Sequence, residues 1–330
     1  MFSPHPDPFL ATARQLAGVG SWRELLVLLM PRAEAGTASG DEMILYAEAL
    51  MRSGQERQAL VFLRDVEPGL ADDGGRALHR RAVNMIGVAS FALGDLDGAN
   101  AALSRALELA TLDDDVLMMA QATNNLGTIA NLQGRHEDAL WQYRLALPML
   151  QRLGQARLLA EGYHNMAITF RDVGDLDEAE EHERRAIDYA QDGSAPRVAA
   201  MGRTGRAEIA LRRGDAPLAE TTARLAIEEF SRLSDPLNEG DAWRLTGAAC
   251  TAQQRYEGAL DAFARALGIA REHGHALVEA ETLRDRVDVR VRRGERALAL
   301  DDARASLAIF EKLGAQSECE ALQQRIDVLQ

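Results

Sequence analysis

The chain has two cysteines in 330 residues, Cys250 and Cys319, which leaves no CxxC pair and no Cys/His cluster for a metal. Two thiols so far apart read as free and suit a reducing compartment. Aromatic residues make up 5% and prolines number nine, whereas 47% of the chain is hydrophobic, mostly Ala and Leu. Such a composition disfavours a β-sandwich and fits helices. Lys312 is the single lysine, and the basic residues are otherwise arginines. The net charge of −14 and pI near 5.0 argue against a polyanionic partner, so nucleic acid is not expected. The opening MFSPHPDPFL lacks a basic region followed by an apolar one, and no apolar run reaches the roughly 18 residues of a membrane span. A cytoplasmic location without a membrane partner is expected.

Catalytic signatures are missing too: there is no phosphate-binding GxxxxGK[ST], no HExxH and no DxDxDG loop. His273 and His275 flank Gly274 without a third ligand fixed by spacing, and His182 lies among acids of a helix. No enzyme activity, catalytic residue, metal or cofactor is expected from these residues.

What is present is repetition. NNLGTIANLQGRHEDAL at 124–140 and HNMAITFRDVGDLDEAE at 164–180 share Asn125/Asn165, Gly134/Gly174 and Ala139/Ala179 in register. Blocks of 40 residues beginning at 41, 81, 121, 161, 201, 241 and 281 align without insertion to residue 320. The nineteenth place of every block is alanine, from Ala59 to Ala299. The fourteenth is glycine except at Gln254, and the seventh is always Ala, Gly or Val. The twenty-sixth is Ala in the five blocks from 81 to 280, with Val66 and Ser306 in the outer two.

A glycine after thirteen helix-compatible residues marks a left-handed stop for a helix A. The acids that follow, Asp95, Asp175, Asp215 and Glu295, suit the positive start of a helix B. Small residues at the seventh and nineteenth places allow A and B to approach closely. Each pair has an apolar face that only stacking can bury.

This skeleton resembles the tetratricopeptide repeat in its longer form of about 40 residues, as in kinesin light chain and the sensor regions of bacterial peptide receptors and transcriptional activators. The resemblance implies an all-α, right-handed superhelical solenoid of antiparallel helix pairs. On this reading residues 1–40 form a degenerate capping repeat with a helix B ending near Pro31. Residues 41–320 form seven units (41–80, 81–120, 121–160, 161–200, 201–240, 241–280, 281–320). Residues 321–330 cap the far end through Leu322, Ile326 and Leu329. Departures from the family pattern are Arg203 at the third place, where Tyr163 and Trp243 stand in other blocks, and Arg206 and Arg286 at the usually apolar sixth place.

In the family, certain places of helix A line a concave wall, and Asn there grips peptides. Carried onto this chain, those places hold Asn84, Asn124, Asn125, Asn131, His164, Asn165, Arg171, Arg203, Arg244 and Arg284. An Asn carboxamide donates and accepts at once, which suits an extended backbone. In the first thirteen places of the blocks starting at 201, 241 and 281, ten arginines face five acids. The expectation is therefore a basic stretch that selects acid, and an interaction scaffold binding an extended or helical acidic protein segment. The alternative is a ligand- or peptide-sensing regulator acting on a separate effector. The partner's identity and the oligomeric state are not encoded in these patterns.

Overall fold

The computed structural model describes residues 7–72, 75–313 and 315–329. Among these residues there are seventeen α-helices and no strand. The helices fall into two compact units, residues 1–153 and 154–330. The first holds α1 (Pro8–Gly18), α2 (Trp22–Glu34), α3 (Gly40–Arg52), α4 (Glu56–Asp72), α5 (Arg76–Ala92), α6 (Leu96–Leu112), α7 (Val116–Leu132) and α8 (His136–Arg152). The second holds α9 (Ala156–Asp172), α10 (Leu176–Asp192), α11 (Pro196–Arg212), α12 (Ala216–Arg232), α13 (Pro236–Ala252), α14 (Tyr256–His273), α15 (Ala276–Arg292), α16 (Arg296–Leu313) and α17 (Gln316–Leu329). In each unit consecutive helices pack as antiparallel pairs.

The turn chemistry explains the spacing. At the fourteenth place the six glycines have φ between +72° and +87°, and Gln254 shares the left-handed conformation at φ 59°. In three blocks helix B then starts on an aspartate cap: Asp95, Asp175 and Asp215 each accept from the backbone N–H three residues on.

A second left-handed place lies twenty residues later in five of the periods, at Asp114, Gly154, Ser194, Ser234 and Gly274. It ends helix B, and the next helix A follows at once, capped at α7 by Asp115 and at α13 by Asp235. From α5 onward helix A therefore begins five residues before the block starts used above, as at Val116 rather than 121. The helices α5 to α13 are all 17 residues long. The mixture of Gly, Asp and Ser concealed this second stop.

Helix α2 does not end near Pro31 but runs on to Glu34. A proline lacks the donor but keeps its carbonyl, and Pro31 O accepts from Ala35 N at 3.2 Å.

Alanines at the nineteenth place are all fully buried. Where the seventh place is glycine it seats one particular neighbour, the large side chain at the twenty-third place of the partner helix. A methyl group on Gly87, Gly127 or Gly247 would sit 2.5 to 2.7 Å from Leu103, Tyr143 or Phe263 respectively. Burying each of these large side chains contributes about 1.5–3 kcal/mol, and the missing Cβ makes that possible. At the ends, Ala13, Leu25 and Leu29 pack with Leu45 and Leu50, and Leu322 and Ile326 pack with Phe310 and Val287.

Candidate partner-binding faces

In the first unit Asn84 and Asn124 occupy the same place on α5 and α7, both half-buried. The Oδ1 atom of each is buried without a hydrogen-bond partner. Around them on the same helix faces lie Met85, Val88, Gln121, Asn125 and Thr128, all half-buried. The nearby charge, Arg81, faces Glu48 at 3.7 Å. This face is amide and apolar, almost without net charge. Asn131 differs: it is buried, and its Oδ1 lies 2.9 Å from His136 Nδ1, tying the end of α7 to the start of α8.

In the second unit Asn165 is half-buried on α9, and His164 beside it is buried. His164 Nδ1 lies 2.9 and 3.1 Å from the two carboxylate oxygens of Glu183 on α10. Glu183 is 1% exposed and sits below Gly205 of α11, where a Cβ would overlap its Oε1. Burial raises the Glu183 pKa, while His164 and Arg171 oppose the rise.

The arginines of the expected basic row are mostly engaged in ion pairs. Arg171 meets Glu208 at 2.8 Å, and Arg203 meets Glu229 at 2.7 Å. Arg244 is buried and holds Asp241 at 2.7 Å, Asp285 at 2.9 Å and Glu281 at 3.6 Å. Burial works against the Arg244 charge, and these carboxylates overcome it, so its pKa lies well above the ordinary arginine value. Arg284 bonds Asp285 and, at 3.0 Å, Glu318. Arg206 and Arg286, at the sixth place, turn to Glu180 and Asp302 at 2.7 Å each. Of the ten arginines, Arg292 alone has no carboxylate in ion-pair range among the described residues, and it is exposed.

The acids that neutralise the row come largely from other helices. Glu180, Glu229, Asp302 and Glu318 all lie outside the places counted along helix A. Counting along one helix cannot see them. Glu183 was likewise missed, although its column offers a signal: the twenty-third place otherwise holds apolar or aromatic residues such as Leu63, Leu103, Tyr143 and Phe263.

His273 and His275 stack with ring centroids 6.0 Å apart. Among the described residues no group of three or more His, Cys, Asp or Glu could hold a metal ion. No described helix is long and apolar enough to cross a membrane.

Solved structures with the same fold include a Rap protein complexed with competence and sporulation factor, 13% identical, with a TM-score of 0.66 over 97% of this chain and 96% of that one. The apo form of RapI is 12% identical, with a TM-score of 0.68 over 83% and 98%. A signal transduction ATPase with a tetratricopeptide repeat sensor, from Pyrococcus horikoshii, is 14% identical, with a TM-score of 0.65 over 99% of this chain and 53% of that one. No curated protein sequence matches the chain. One tetratricopeptide repeat family model matches residues 76–152 and 118–192, and a second matches 164–234 and 222–273. These matches run without a gap from residue 76 to residue 273, more than half of the chain, and the protein belongs to the tetratricopeptide repeat family.

Proposed function

We propose that the protein is an interaction scaffold that holds an extended or helical segment of another protein against the amide face of α5 and α7. The observation that carries this reading is the pair of unpartnered amide oxygens, Asn84 Oδ1 and Asn124 Oδ1, at equivalent places of successive A helices. A buried acceptor left unpaired costs about 1–3 kcal/mol, and a backbone N–H from a bound segment removes that cost. Neither amide is held through its oxygen, so either can turn to offer donor or acceptor to a peptide group. Apolar neighbours such as Met85 and Val88 add contact without demanding a sequence.

The arginines carry less of the proposal than their number suggests. An acidic segment would gain from Arg171, Arg203, Arg244 and Arg284 only by exchanging with carboxylates already in place. A preference for acid would therefore be secondary, and binding should depend only weakly on salt.

The test is a photo-crosslinking residue placed at Val88 in the full chain, followed by affinity measurement on the captured segment made synthetically. Asn84→Ala with Asn124→Ala should weaken that segment by about 10- to 100-fold. Unchanged affinity in the double variant would remove the amide face from the binding site.

A further inference from the structure

In the second unit the third place of the block is aromatic in two A helices, α9 and α13, and not in the other two, where it is Arg203 in α11 and Leu283 in α15. At the third place of α9, Tyr163 stacks on Tyr189 of α10, with centroids 5.4 Å apart and planes at 4°. Arg185 lies over the Tyr163 ring at 5.8 Å. At the same place of α13, Trp243 lies under Arg265 at 4.7 Å, and Arg265 and Arg185 hold equivalent places of the B helices. Between these two, in α11 and α12, the third place is Arg203, the place of Tyr189 is Glu229 and the place of Arg185 is Leu225. The ring is missing, and Ala199 stands where α9 has the buried Leu159.

An open recess of about 420 Å³ lies here, between the end of α10, the start of α11 and the end of α12. Its floor is apolar, from Ala190, Ala195, Ala199 and Leu233, and its rim carries Arg203, Glu229 and Arg232. Arg203 and Glu229 satisfy each other at 2.7 Å. Arg232 is 73% exposed, and its contact is an i,i+4 pair with Glu228 at 3.3 Å, a weak surface interaction. A loosely held guanidinium favours an anion.

We infer that this recess is a ligand site for a small aromatic carboxylic acid, whose ring fills the space that Tyr163 or Trp243 fills in the flanking pairs while its carboxylate meets Arg232. The apolar floor excludes water from the ring and contributes affinity, and the arginine selects the acid. This site lies on α10 to α12 and is independent of the amide face on α5 and α7.

Calorimetry on the full chain with indole-3-acetate, indole and acetate as probes tests the inference. Indole-3-acetate should bind saturably, one per chain, at least about tenfold more tightly than indole, and acetate alone should give no saturable heat. Arg232→Ala should abolish the preference for the acid while indole binding persists. Arg203→Tyr with Glu229→Tyr restores the stacked pair of the preceding helices and should abolish binding of both aromatic probes. If that variant fails to fold, Ala199→Leu, which brings in the residue found at 159, blocks the floor and should do the same. Absence of saturable binding to the parent at millimolar concentrations overturns the inference, as does undiminished binding to a folded variant with the recess filled. Equal affinity for indole and indole-3-acetate overturns the assignment of the acid.

Discussion

Gln254 holds φ 59° at an exposed turn where the other six blocks have glycine. A left-handed backbone costs an L-residue about 1–2 kcal/mol, and the greater freedom of glycine in the unfolded chain takes back part of that. Gln254→Gly should therefore raise stability by about 0.5–1 kcal/mol, read as a higher urea midpoint at unchanged slope. A lowered midpoint would mean that the glutamine side chain contributes something its exposed position does not suggest. The column of glycines makes this turn legible although the residue departs from it. The companion turn at Asp114, Ser194 and Ser234 was illegible for the opposite reason. Its geometry is constant while its residues vary, because a cost of this size is offset by the helices packed on either side.

At the level of elements, the small-residue columns specify how A and B helices meet, and they were readable because deleting a Cβ leaves a mark in the sequence. Glu183 breaks its column and brings a carboxyl into the place of a core side chain, between α9, α10 and α11. It is faced by His164 and Arg171 from α9, with Glu180 on its own helix. Burial raises its pKa, so between the ordinary carboxylate range and that raised value the native protein binds a proton the unfolded chain has released. Stability attributable to Glu183 is thus fully present below the unfolded pKa and is lost as pH rises through the folded one. Glu183→Gln cannot ionise. Its stability relative to the parent should climb as pH is raised from about 4, then level off once Glu183 is charged. Chemical denaturation of both proteins across that range measures the difference, and a constant difference at every pH would show that Glu183 keeps no proton in the native state.

Across the whole molecule, repetition made the family readable while the partner stayed hidden. Period and columns arise from contacts within a pair and between successive pairs, which recur every 40 residues. The charge that a partner would meet depends on which acids reach across from other helices, and that is invisible to a count along one helix, as Glu229 and Glu318 show. The same nearest-neighbour logic governs stability. No helix draws on a core distant in sequence, so a helix with one neighbouring side to pack against should open before one that is sandwiched. In α1 only Ala13 is buried, and α17 buries Leu322 and Ile326. By contrast α13 buries nine residues, including Leu245 and Cys250. Native-state hydrogen exchange should give opening free energies in α1 at least about 2 kcal/mol below those of α5 and α6, and in α17 at least about 2 kcal/mol below those of α13 and α14. Opening should spread inward from each end as denaturant is added. Protection in α1 and α17 equal to that of the interior helices would contradict this scheme and place those ends under another copy of the chain or a bound protein.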